Sequence, residues 1–215
     1  MIVRGNLTTD LLDYHDELET LFSSTHGALL VDHLPSTEDL HDFLGQNGLL
    51  SYLPGRRVCL QLLNNCSEAV RAHCLQTARL AAAIACSIAT LDTELVLQAA
   101  LLHDILRTEK DHAARGAELL RGMGYPALAA IIAEHMQLQP SYHWNETAVV
   151  WLADKCCQEA AIVSPQQRLT AALHRYGPNE TLNANSAALS ALLAGKAFDP
   201  QQILIQYGGP YATII

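Results

Sequence analysis

The sequence predicts an all-α protein: a helical bundle with an N-terminal extension of uncertain structure before it and a short tail after it. Three observations point to that class. From Cys66 to about Ala194 one helix-like segment follows another, most of them opened by a capping residue and several closed by glycine or proline. Half of the 215 residues are apolar and only 16% are charged, enough apolar material for a sizeable core. The apolar stretch Leu95–Leu102 is closed by the dipeptide His103-Asp104, an imidazole and a carboxylate at the end of a buried helix. Such groups are costly there unless something binds them. The expected division is an extension over 1–65, a helical domain over 66–197 and a tail over 198–215.

In the extension, Leu11 to Phe22 has helical texture, and Ser36-Thr37-Glu38-Asp39 opens a short helix ending at Gly45. The run Gly27–Val31 reads as a strand or a buried turn, because periodicity cannot assign so short a run. Either Asn65 or Ser67 caps a long helix rich in Ala, Leu and Ile that runs to about Thr90. Asp92 or Thr93 opens the next, ending near Leu106. Asp111 caps a helix stopped by Gly122-Met123-Gly124, and Pro126 occupies the first turn of one reaching about Met136. Residues 139–144 form a loop, after which Asn145 caps a helix through roughly Ala161. Ser164-Pro165 starts another, stopped near Gly177-Pro178, and a last helix covers about Asn185 to Leu193. The tail, with Gly208-Gly209-Pro210, is expected to be an extension packed on a neighbour.

The net charge of −9 argues against a nucleic-acid surface, because phosphate backbones require clustered Lys and Arg. It leaves room for a small phosphorylated ligand, since bound divalent ions would offset the charge locally. No membrane partner is expected: the longest apolar stretch, Leu80 to Ala89, is too short to span a bilayer. No signal peptide is expected at the N-terminus. The six cysteines form no Cys-x-x-Cys pair, and most lie in apolar helical patterns where a free thiol behaves as a small hydrophobe. The chain therefore reads as reduced and cytoplasmic.

His73, His103, Asp104, His112, His135 and Asp154 are the chemistry-bearing set. They come from successive helices, mostly within or at the ends of apolar segments. A lone helical histidine is more often a satisfied core or surface group, and His15, His26, His33, His41 and His174 are read that way. The six together offer imidazole nitrogens and carboxylate oxygens, which suit first-row divalent cations: manganese, iron, cobalt, nickel or zinc. Adjacent residues on a helix point roughly 100° apart, so His103 and Asp104 do not easily chelate one ion in the same way. One solution has His103 on one ion and Asp104 bridging to a second.

These residues resemble the HD-domain superfamily of metal-dependent phosphohydrolases over about Cys66 to Arg168. His103-Asp104-Ile105-Leu106-Arg107 is similar to the family's His-Asp-Ile-Gly-Lys run, with Leu106 for glycine and Arg107 for lysine. Asp111–Leu120 resembles the segment that carries an extra ligand in two-metal members. Ile131–Met136 and Trp151–Lys155 are similar to its later His and Ala-Asp-Lys signatures. The run is similar to HD domains alone or fused behind molybdenum-cofactor-type nucleotidyltransferases, and also to HD-type diadenosine tetraphosphate hydrolases. Met136 stands where some two-metal members have a second histidine, which leaves the second site either short of a ligand or completed by water.

The resemblance implies one or two divalent ions per chain. Metal 1 is held by His73, His103, Asp104 and Asp154, and metal 2 by bridging Asp104 with His112 and His135. A water activated between the cations attacks a phosphoester or phosphoanhydride of a small, nucleotide-like substrate. Arg107 and Lys155 would grip phosphate oxygens alongside the catalytic Asp104, with Lys110 a weaker candidate. Tyr142, His143 and Trp144 would lie near the substrate's approach, with His143 able to complete metal 2, and Glu134 is solvated or supports a ligand. A homodimer is open. Two rival functions remain: an HD-type di-iron oxygenase using the same ligands, and a non-catalytic metal-stabilised sensor or partner-binding module.

Overall fold

The computed structural model describes residues 53–138, 143–194 and 198–211. The elements expected within residues 1–52 and the loop residues 139–142, Tyr142 included, lie outside the described residues. The chain divides into two compact units, Met1–Val58 and Cys59–Ile215. Among the described residues there are nine α-helices, one two-stranded hairpin and a terminal 3-10 turn.

Helix α1 (Arg56–Leu63) crosses the boundary between the units. The second unit is built on α2 (Glu68–Cys86), α3 (Thr93–Leu102) and α6 (Glu146–Lys155). Their caps are chemical and local. Ser67, Asp92 and Asn145 each accept a backbone N–H of the first turn on a side-chain oxygen. Long stretches of all three are buried on every face: Leu80–Ala85, Val96–Leu102 and Ala148–Asp154. A helix apolar all round belongs in the middle of a bundle. The alanines of α2 let its neighbours approach closely, and α2 packs against both α3 and α6.

Around this centre, α4 (His112–Gly122) pairs with α5 (Pro126–Glu134), joined through Gly124 in the left-handed region at φ 88°. Helix α7 (Pro165–Tyr176) opens with a full capping box between Ser164 and Gln167 and ends at Gly177, φ 71°. Helix α8 (Glu180–Leu193) follows it, and α9 (Pro200–Tyr207) packs on α2. The tail is thus a helix of the same fold, capped by Asp199, with Tyr211 Oη 3.2 Å from Cys86 Sγ.

Several expected boundaries move. Helix α2 stops at Cys86 rather than Thr90, because the Ser87 hydroxyl donates to the Ile84 carbonyl (2.6 Å) and closes the turn. Helix α8 begins at Glu180, five residues before the expected Asn185, because Asn179 caps Leu182 N–H. Helix α6 ends at Lys155 rather than Ala161. The residues after it form the hairpin β1 (Cys157–Gln158) and β2 (Ala161–Ile162), Gln158 opposite Ala161. Helix α3 ends at Leu102 and α5 at Glu134, short of Leu106 and Met136. All six cysteines are free thiols, and burial pushes Cys59 and Cys157 up to about 12. No helix among the described residues is long and apolar enough to cross a membrane.

Candidate metal centre

The site is made of helix ends. His103 is the C-cap of α3, His135 is the C-cap of α5, and Asp154 is one residue from the end of α6. Three helix C-termini, each carrying partial negative charge, thus meet beside two carboxylates, a field that attracts cations. His73 comes from the second turn of α2 and His112 is the first residue of α4.

The early ends of α3 and α5 are what aim their histidines. After Leu102 the backbone goes over to i→i−3 bonds, Ile105 N to Leu102 O (3.2 Å) and Arg107 N to Asp104 O (2.9 Å). His103 Nδ1 donates to the Ala100 carbonyl at 2.8 Å, and His135 Nδ1 donates to the Ile132 carbonyl at 2.7 Å. The same device thus appears twice, an imidazole folded back onto its own helix end. His73 Nδ1 donates to the carbonyl of Glu159 at 3.0 Å. Glu159 sits in the hairpin turn at φ 55°, a left-handed conformation uncommon for a non-glycine residue. A carbonyl oxygen only accepts, so in all three rings Nδ1 carries a proton and Nε2 is left to face inward.

The inward atoms form two groups whose ligand atoms lie within 4.8 Å of one another: His73, His103 and Asp154, and Asp104, His112 and His135. Asp104 lies between them. Its Oδ1 is 3.1 Å from His112 Nε2 and 3.4 Å from His135 Nε2, and its Oδ2 is 3.6 Å from His103 Nε2 and 3.9 Å from His73 Nε2. Asp154 Oδ1 faces His73 Nε2 at 3.1 Å and His103 Nε2 at 3.8 Å. The four imidazoles form a continuous row, with neighbouring ring centroids 5.1 to 5.3 Å apart.

The fit to a cation rests on two orphaned atoms. Nε2 of His103 and Nε2 of His135 are buried and have no hydrogen-bond partner, although both residues are only 1% exposed. A buried polar atom without a partner costs on the order of 1–3 kcal/mol. Two such atoms converging on one carboxylate could serve a metal ion, and Nδ1 anchors of this kind are the outer hydrogen bonds that orient metal-bound histidines.

The charge state is that of an ion-free site, in which a proton on His103 stands between the carboxylates. Burial opposes charge on Asp104, yet His103, His112 and His135 outweigh it and hold the carboxyl below the usual range. Burial likewise opposes charge on Asp154, but Lys155, His103 and His73 keep it well below the usual range. Burial disfavours the His103 imidazolium, but Cys74, Asp104 and Asp154 win and raise its pKa well above the ordinary value. His135 moves the other way: burial lowers it despite the Asp104 carboxylate, so it stays neutral.

The remaining expected residues divide. Lys155 Nζ is 2.5 Å from Asp154 Oδ2 and 3.4 Å from the His135 carbonyl, so it holds a ligand-bearing carboxylate and a chain end together. Arg107 Nη1 is 3.5 Å from Asp104 Oδ1 and 3.2 Å from His112 Nε2. His143 is exposed and stands outside both donor groups, Trp144 and Lys110 are exposed, and Glu134 is half-buried beside His135. The sequence reading missed the Glu159 carbonyl. Its signal was the short β-branched run Ile162-Val163 before the Ser164-Pro165 cap, next to a hairpin that replaces the last turns of the helix expected to reach Ala161.

Among known proteins, the family model described as HD domain matches residues 70–183, a span that carries all six donors. The chain is 41% identical over 80 residues to an uncharacterized protein of Methanocaldococcus jannaschii, covering 34% of this chain and 47% of the archaeal one. It therefore spans about half the length of that curated relative. No solved structure matches.

Proposed function

The chain belongs to the HD-domain superfamily of metal-dependent phosphohydrolases, and from that premise we propose that it hydrolyses a phosphoester or phosphoanhydride of a small, nucleotide-like substrate at a dinuclear centre. The observation that carries this reading is the convergence of the unpartnered, buried Nε2 atoms of His103 and His135 on the two sides of Asp104. His73, His103 and Asp154 would hold one divalent ion, His112 and His135 would hold a second, and Asp104 stands between the two groups. Bound there, divalent cations supply a water acidified to near neutrality and a counter-charge for phosphoryl oxygens.

The chain's own residues do the rest. The Nδ1 bonds of His73, His103 and His135 hold three rings with Nε2 turned inward, so no ring has to rotate when an ion binds. Lys155 occupies Asp154 Oδ2 and leaves Oδ1 turned to the histidines, making it a positioning residue. Arg107, with 45% of its side chain exposed, is the cation with access to substrate, and its planar fork suits phosphate oxygens.

The test is phosphate release from a panel of nucleoside phosphates, dinucleoside polyphosphates and aryl phosphates, with manganese or cobalt added. Turnover that disappears in Asp104→Ala and on chelation supports the reading. Oxygen consumption by iron-loaded protein without phosphate release would transfer the centre to oxygenase chemistry. Metal binding with neither turnover would leave a sensor or partner-binding role.

A further inference from the structure

The second donor group has a cation of its own. Arg107 Nη1 stands 3.2 Å from His112 Nε2 and 3.5 Å from Asp104 Oδ1, and those two atoms are 3.1 Å apart. A guanidinium only donates and a carboxylate only accepts, so Asp104 Oδ1 receives both neighbours, and the guanidinium lies against the two atoms an ion would need. A divalent ion held between His112 and Asp104 would face that like charge at close range. Engagement of a second ion through His112 therefore requires Arg107 to let go. It is free to do so: it lies on the exposed turn between α3 and α4, while Asp104 beneath it is 5% exposed.

We propose that Arg107 is the resident cation of the Asp104–His112–His135 group, displaced when a phosphate-bearing ligand draws its guanidinium outward, so that the second metal ion and phosphate bind cooperatively. This rests on the metal-centre reading above and adds a rule for filling the second position. Two features favour the exchange. Phosphate offers the guanidinium a bidentate partner in place of a shared edge. Helix α4, eleven residues long, begins at His112, and Asp111, its N-cap at φ 55°, makes no side-chain cap bond. The positive end of that helix thus lies uncapped beside the same place, where an anion is welcome. The first group has no counterpart. Lys155 takes the outer oxygen of Asp154 and contacts no histidine nitrogen, so it leaves the ligand lone pairs open.

Titration of the full chain with Mn²⁺, read by the paramagnetic signal of the free ion and corrected for Mn²⁺–phosphate pairing in buffer, tests this. In the unaltered protein the first ion should bind equally with or without inorganic phosphate. The second should tighten on the order of tenfold when phosphate is present, a typical coupling between sites. In Arg107→Ala the second ion should bind tightly without phosphate and the coupling should vanish. In Arg107→Lys the coupling should shrink but persist. A second ion in Arg107→Ala that is unchanged or weaker, or a phosphate effect that survives in that variant, would overturn the proposal while leaving the metal centre standing. A chain that binds no Mn²⁺ at all would overturn the centre and this proposal together.

Discussion

The two donor groups differ in how their members are held. In the first, His73 and His103 are anchored through Nδ1 on carbonyls, and Asp154 is pinned by Lys155 at 2.5 Å. In the second, only His135 has such an anchor. His112 has its Nε2 shared with Arg107 and Asp104, on a helix start next to an exposed turn. On the proposed reading, the first would retain an ion and the second would exchange one. The missing second histidine at Met136 fits that difference, since Met136 is exposed and its carbonyl instead accepts from Asn185 Nδ2.

Breaking the shared residue should have the largest effect. Asp104→Ala should bring turnover to background and lower the metal content of the protein, measured by elemental analysis. Next, the groups should separate: His103→Ala should lose the retained ion, whereas His112→Ala should keep one ion per chain and lose the second. Equal losses in the two variants would erase the contrast. A smaller effect is expected from Lys155→Met, which removes the pin without removing a ligand. Affinity for the first ion should fall roughly 10- to 100-fold, the usual cost of losing an outer support, with the second ion less affected.

The smallest effect concerns pH in the ion-free chain. The folded pKa of His103 is raised above 6.5, so its contribution to stability is full below 6.5 and fades as pH rises through the folded value. Asp104 and Asp154 are depressed below 3.8, so their contribution is full above that value and fades as pH falls through the folded ones. The Tm of ion-free protein should accordingly fall on going from about pH 6 into the alkaline range. Added Mn²⁺, taking the place of the His103 proton, should raise the Tm more at the alkaline end. A Tm flat with pH in both conditions would contradict the charge state of the first group.

Much of the fold was legible because helix starts are local chemistry. Ser67, Asp92, Asn145 and Ser164 carry the cap in their own side chains: Asn145 and Ser164 begin helices as expected, and Ser67 and Asp92 decide between two candidates each. Helix ends were less legible, since a distant or folded-back partner sets them. Leu102 and Glu134 end α3 and α5 where a histidine turns onto a carbonyl three residues earlier, and Lys155 ends α6 where a hairpin begins. The six donors were visible as polar residues in apolar helices, and the structure brings all six together. Their division into two groups came from the family resemblance, and the detail within each group was not visible. It depends on which oxygen of Asp104 faces which ring, and on where Arg107 and Lys155 reach, matters decided only by packing.

The central claim is that these six side chains form a metal centre, and metal content tests it most directly. Protein purified without chelator should carry at least one first-row divalent ion per chain by elemental analysis. Saturation with Mn²⁺ should give two, and Asp154→Ala should cost the retained one. No bound metal in the unaltered chain, with all six donors present, would contradict the account.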